Sequence, residues 1–259
     1  MKISIDVTMR YAFRQANTVT LAIEAAQTHG QRVLSESLDI PGAQIDRIGG
    51  DSGVGSKLFA RVPEGEMALR YGAEVEISRP DPSLERMAAA PLHRLTSDAL
   101  QYIRPSRYCQ SDKFVSFVGA RFSHLEGGTK VAAIRNWIEA KLSYVPGSSD
   151  ADTNVLETFA GRQGVCRDYA HLFCSMARAA QIPARMVSAY GPDVAPSDFH
   201  AVAQVWLDGD WHLVDATGMC RANGLAVVAV GRDAYDVAFM ESQAPAELLE
   251  QVVTVNRIG

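Results

Sequence analysis

The sequence predicts an α+β fold in two parts: an antiparallel β-sandwich, then a domain in which helices come first and strands follow. Two features predict it. Up to about residue 80 the apolar positions recur with period two, and from Phe114 onward they recur about every 3.6 residues. Size agrees, since 259 residues is more than one ordinary domain and can bury a large core without staples.

In the first part, Ile3-Ser4-Ile5-Asp6-Val7-Thr8 and Val19-Thr20-Leu21-Ala22-Ile23-Glu24 alternate as half-buried strands do. Residues 57–62 and 67–77 continue the pattern, with Leu69, Tyr71, Ala73, Val75 and Ile77 on one face. Glycines at 42, 49, 50, 53 and 55 supply turns between them. Arg79-Pro80-Asp81-Pro82 ends the section, because two prolines break both ladder and helix. The sandwich is thus assigned to residues 1–80, a connector with Pro91 and Pro105 to 81–112, and the second domain to 113–259.

In the second domain, Val131, Ile134, Trp137, Ile138 and Leu142 share a helical face that stops at Pro146-Gly147. A second helix starts at Thr153 or Asn154, either of which can cap it. A third runs from Cys166 to about Ala180, with Phe173, Met176 and Ala177 inward and Pro183 closing it. Strands return at 185–190, 200–207 and 211–215, the last two joined by Asp208-Gly209-Asp210 as a hairpin turn. Residues 227–230 and 252–255 add strands at the end of the same domain.

Composition excludes several classes of function. With 47 % apolar and 21 % charged residues the chain is not disordered. A net charge of −5 argues against a surface that neutralises phosphates, so no nucleic-acid partner is expected. The first residues lack the apolar core of a signal peptide, and no stretch is long and apolar enough to cross a bilayer, so no membrane partner is expected. Cys109, Cys166, Cys174 and Cys220 show neither CxxC spacing nor the density of a disulfide framework, which suits a reducing, cytoplasmic setting.

The candidate chemistry centres on Cys166. Gly164-Val165-Cys166 enters a helix, where unpaired N–H groups and the positive end of the helix dipole favour a thiolate nucleophile. Gly164 leaves room beside the sulfur for a flat acyl group, and the Cys166 amide can donate to an oxyanion. His200 opens a strand, and the hairpin register puts Asp215 near Val202, one step from it. A carboxylate there would hold the imidazole with its free nitrogen toward the thiol.

At these residues the sequence resembles a known family. Gly164-Val165-Cys166-Arg167-Asp168-Tyr169-Ala170-His171-Leu172 and Ala177-Arg178-Ala179-Ala180-Gln181-Ile182-Pro183-Ala184-Arg185 are similar to the nucleophile helix of the transglutaminase-like superfamily, in its bacterial branch assigned to cysteine proteases. His200-Ala201 and Trp211-His212-Leu213-Val214-Asp215-Ala216-Thr217 resemble that family's His and Asp segments, in the same chain order. The resemblance implies a papain-like, transglutaminase-like catalytic core over about residues 92–236, which takes in Gly231-Arg232-Asp233. It also implies that Cys166 is the nucleophile, His200 the general base and acid, and Asp215 the orienting carboxylate. Val202 stands where the family usually has an aromatic residue and Ala216 where it has proline, and both changes bear on the pocket wall. No calcium requirement is inferred, because the further domains of the calcium-dependent animal enzymes have no room here.

The expected activity is acyl transfer on amide bonds of a protein or peptide substrate, with hydrolysis preferred to transamidation because water is always present. A scaffold that binds peptides without turnover is the alternative of another class. Cys174, on the apolar stripe, reads as packing, as do Cys109 and Cys220. Asp168 and His171 are helical neighbours, expected to hydrogen-bond in support of the helix start, with Asp168 alternatively touching substrate. His29, His93, His124 and His212 read as solvated. No ligand spacing supports a metal or other cofactor; a zinc site from Cys166, His171 and His200 lacks it. The run 49–55 lacks the context of a phosphate loop. Trp137 and Gln163 compete for the second oxyanion donor, and the sandwich could pair across a homodimer as readily as pack on its own core.

Overall fold

The computed structural model describes residues 1–258. Six strands come first: β1 (Lys2–Phe13), β2 (Asn17–Leu21), β3 (Gln31–Asp39), β4 (Gln44–Gly49), β5 (Ser56–Val62) and β6 (Gly65–Ile77). After short 3₁₀ turns come α1 (Ser97–Leu100), α2 (Val115–Phe122), α3 (Gly127–Lys141), β7 (Ser143–Tyr144), α4 (Val155–Gly161), β8 (Gln163–Gly164) and α5 (Cys166–Ala179). The remainder is β9 (Ala184–Tyr190), β10 (His200–Leu207), β11 (Asp210–Val214), β12 (Ala226–Gly231), α6 (Ala234–Val237), β13 (Met240–Ser242) and β14 (Ala246–Arg257).

Two four-stranded antiparallel sheets, ordered β14-β1-β6-β3 and β13-β2-β5-β4, share one core. Alternation explains the packing: Ile3, Ile5, Val7, Met9, Tyr11 and Phe13 of β1 are buried together with Met67, Leu69, Tyr71, Val75 and Ile77 of β6. β3 and β4 do not stand out in the sequence. Both are edge strands, largely exposed, so one buried face does not mark them. The chain's end departs from the expected boundary. β14 pairs along the whole of β1 and β13 pairs with β2, so residues 240–257 complete these first sheets instead of extending the second domain. β14 has a mostly exposed face beside β1's buried one, which hides its partner from a one-dimensional reading.

The second domain carries an antiparallel sheet ordered β11-β10-β9-β12. On one face α5 packs Leu172, Phe173, Met176 and Ala177 against Ala203, Val205 and Leu207. Each large apolar side chain so buried contributes about 1.5–3 kcal/mol. Within α5, the buried Arg178 donates to Ala184 O at 2.8 Å and Ser106 Oγ at 3.2 Å, and also to Arg232 O. One guanidinium thereby fixes the helix to three separate segments.

The sandwich and second sheet are joined by polar ties. Gln31 donates to Val227 O at 2.8 Å and accepts from Val227 N at 2.7 Å, while the Tyr190 hydroxyl donates to Ile23 O at 2.7 Å. β14 also holds the loop that leads into β10. Ser197 Oγ donates to Val253 O at 2.6 Å, Gln251 to Asp198 at 2.8 Å, and Arg257 pairs with Asp193. No helix among the described residues is long and apolar enough to cross a membrane.

Candidate active site

Cys166 is the first residue of α5, and its position is set by the residues around the helix entry. Asp168 is fully buried, and its Oδ2 accepts the Val165 N–H at 2.8 Å and the Ser149 hydroxyl at 2.5 Å. A carboxylate at the third helical position that reaches back to the residue before the helix caps the entry. Arg167 donates to Asp150 O at 2.6 Å and holds the same loop. The expected Asp168–His171 hydrogen bond does not form, because the Asp168 carboxylate turns back toward Val165 and Ser149. His171 instead accepts the Ala234 N–H on Nε2 at 3.0 Å and stacks on Tyr108. Burial, then the charges of Arg167 and Arg178, push its pKa down to about 3, so it is neutral and structural. Gly164 also differs from expectation. A Cβ there would lie 2.6 Å from Asp168 Cβ and 2.9 Å from its Oδ2, so the glycine admits the capping carboxylate.

The hairpin supplies the other two groups. Asp208 and Gly209 have φ of 51° and 81°, the pair of positive values a tight two-residue turn requires. The resulting register pairs Ala203 with Val214, which sets Asp215 beside Val202 as the spacing predicts. His200 Nε2 lies 2.9 Å from Asp215 Oδ2, and both side chains are buried. The carboxylate is itself anchored. Its Oδ1 accepts the Thr217 N–H at 2.8 Å and hydroxyl at 2.7 Å, and its Oδ2 accepts the Cys220 N–H at 2.9 Å.

His200 Nδ1 is buried and has no hydrogen-bond partner among the described residues. No hydrogen bond of ordinary geometry joins it to Cys166 Sγ, yet the sulfur is near enough to act on the imidazole's titration. Burial alone would lower that pKa; the hydrogen bond to Asp215 and then the influence of the Cys166 sulfur outweigh it and raise the value to about 10. Asp215 is shifted down, as His200 and its other donors overcome burial.

Spacing does not single out Tyr144, yet its phenol is near enough to Cys166 for that residue to act on its titration. Burial, then the Cys166 charge, raise its pKa to about 12. The parallel pair β7–β8 puts Tyr144 opposite Gly164, a tertiary pairing with no sequence signal. Trp137 packs with Phe117, Phe159 and Arg162 instead. Cys109 and Cys174 are buried, and burial raises both thiols. His212 is bonded to Leu207 O at 3.1 Å and is not simply solvated. His200, Asp215 and Cys220 bring potential metal-ligand atoms within 4.8 Å of one another. Asp215 Oδ2 is already shared by two donors, and burial pushes the Cys220 thiol up to about 12, so these residues form a hydrogen-bonded cluster unsuited to an ion.

Comparison with known proteins agrees with this architecture. A family model described as transglutaminase-like superfamily matches residues 120–216, a stretch that contains Cys166, His200 and Asp215. An uncharacterised protein of Mycobacterium leprae is 29 % identical over 214 residues, which are 77 % of this chain and 76 % of that protein. A Cytophaga hutchinsonii protein, whose crystal structure carries the name putative cysteine protease, is 32 % identical and superposes with a TM-score of 0.91. The match covers 99 % of this chain and 90 % of that one. Sequence kinship over nearly the full length and a shared core at the site lead to one assignment: the chain belongs to the transglutaminase-like superfamily.

Proposed function

We propose that the protein is a cysteine-dependent acyl-transfer enzyme that hydrolyses amide bonds of a peptide or protein. The observation that carries this reading is the buried His200–Asp215 pair, 2.9 Å apart, whose remaining imidazole nitrogen is unpartnered and senses the Cys166 sulfur. Asp215 accepts the Nε2 proton, so Nδ1 is the ring nitrogen that faces the thiol, and the raised pKa of the ring favours it as the acceptor of the thiol proton.

In the first step the Cys166 thiol gives its proton to His200 Nδ1 and the sulfur bonds to the amide carbonyl carbon. The Cys166 N–H, at the first helical position, is available to the oxyanion that forms. Collapse breaks the carbon–nitrogen bond as His200 Nδ1 returns the proton to the leaving amine. Water then adds to the thioester, giving a proton to His200, and the carbon–sulfur bond breaks to yield a carboxylic acid and the free thiol. A primary amine in place of water would give the transamidated product.

The test incubates wild type and Cys166→Ala with peptide amides, with and without a primary-amine probe. Amide hydrolysis lost in the variant supports the reading, and incorporation of the amine in preference to water replaces hydrolysis with transamidation. Turnover that persists in Cys166→Ala, or no turnover in the wild type across a broad peptide library, overturns it.

A further inference from the structure

A cavity of about 440 Å³ lies between the sandwich, the connector and the outer face of the second sheet, and none of Cys166, His200 or Asp215 lines it. Two arginines face into it. Arg185, only 4 % exposed, belongs to the Pro183-Ala184-Arg185 run that the proposed chemistry does not use. Its Nε donates to Gln204 Oε1 at 2.8 Å, and its guanidinium lies 4.1 Å from the Trp211 ring centroid, with Tyr102 beside it. Arg79 enters from the end of the sandwich, just past β6, donating through Nη2 to Gln31 Oε1 at 2.7 Å and through Nη1 to main-chain carbonyls.

Neither guanidinium is in a salt bridge among the described residues. Burial is what acts on Arg79, with no carboxylate opposing it. Asp98 and Asp210 also line the cavity and reach Arg185 only at longer range. Both are engaged elsewhere: Asp98 Oδ1 accepts from Ser52 Oγ at 2.7 Å and Asp210 Oδ1 from the Trp211 N–H at 2.7 Å. The third polar feature is an orphan. Trp211 Nε1 is buried without a hydrogen-bond partner. A buried donor left unpaired costs free energy, as does a buried charge without a counter-charge. Two guanidinium groups without a counter-charge and one N–H without an acceptor belong to residues that line one cavity, and all three suit an acceptor that carries negative charge. Val54, Pro82, Met87 and Leu213 complete an apolar wall around them.

We propose that this cavity binds a compact organic anion, a carboxylate or phosphate monoester on an apolar body, with Arg185, Arg79 and Trp211 Nε1 meeting the charged end. The planar guanidinium fork suits either headgroup, and the walls suit the body. Residues from both domains line the site, so occupancy would also join them.

Calorimetric titration of the intact protein with benzoate, phenyl phosphate, inorganic phosphate and benzylamine tests this. Saturable binding of benzoate or phenyl phosphate is expected, at least tenfold tighter than inorganic phosphate, with none for benzylamine; whichever aromatic anion binds tighter names the headgroup. Arg79→Gln is expected to weaken binding at least tenfold. Because Arg79 also ties main chain, Trp211→Phe serves as a second variant that removes only the Nε1 donor, with a threefold or greater loss. Cys166→Ala leaves the affinity unchanged. No saturable binding of either aromatic anion, inorganic phosphate binding as tightly as phenyl phosphate, benzylamine binding as tightly as benzoate, or an affinity unaltered in both variants overturns the proposal.

Discussion

Asp168 and Gly164 are packed so closely that a methyl group on the glycine would sit 2.6 Å from the Asp168 Cβ. The contact lets the carboxylate cap the Val165 N–H and so aims the first turn of α5, on which Cys166 stands. Gly164→Ala is therefore expected to cost about 1–3 kcal/mol through overpacking, and Asp168→Ala a similar amount through lost capping and an unpaired buried donor. Urea unfolding measures both, and unchanged midpoints would contradict this account of the helix entry.

Asp215→Asn tests the orienting carboxylate. The variant keeps one acceptor oxygen for Thr217 and so retains the fold, but it no longer stabilises a charged His200. A fall in kcat/KM on the order of 10²–10⁴ is expected, with circular dichroism unchanged. Full activity in the variant contradicts the role.

Stability should depend on pH with a definite sign. His200 is raised from its ordinary 6.5 to about 10, so its contribution is complete below pH 6.5 and fades as pH rises toward 10. Asp215 is lowered from 3.8, so its contribution is present above that value and is lost as pH falls through the depressed one. The stability difference between wild type and Asp215→Asn should thus be largest between about pH 4 and 6.5 and shrink at alkaline pH, as urea titrations across the range will measure. A difference that grows from pH 7 to 10 contradicts the assignment.

Tyr144→Phe isolates the phenol beside Cys166. Removal of one polar group at the site of developing charge is expected to lower kcat on the order of 10- to 100-fold, with KM little altered. Steady-state kinetics read it directly, and an unchanged kcat contradicts a part for this hydroxyl in the reaction.

Local signals were legible in the sequence and long-range ones were not. Asn154 caps α4 through Leu156 N and Glu157 as its residue type suggests, and the Asp208-Gly209 turn sets the register that carries Asp215 toward His200. Both depend on residues a few positions apart. Ser149 as the partner of Asp168, Tyr144 opposite Gly164, and β14 against β1 each require chain segments that meet only in the folded molecule. His171 shows the same limit from the other side. Its helical neighbour Asp168 is the right distance away, but Val165 and Ser149 take the carboxylate and Ala234 takes the imidazole.

The coupling of Cys166 to His200 is tested most directly by the rate of iodoacetamide alkylation at Cys166, followed site by site by mass spectrometry near pH 6.5. Because burial alone makes Cys109, Cys174 and Cys220 slow, the informative comparison is wild type against His200→Ala in a folded protein. The account predicts rapid alkylation of Cys166 that slows on the order of tenfold or more when the imidazole is removed. Equal rates at Cys166 in the two proteins would contradict it.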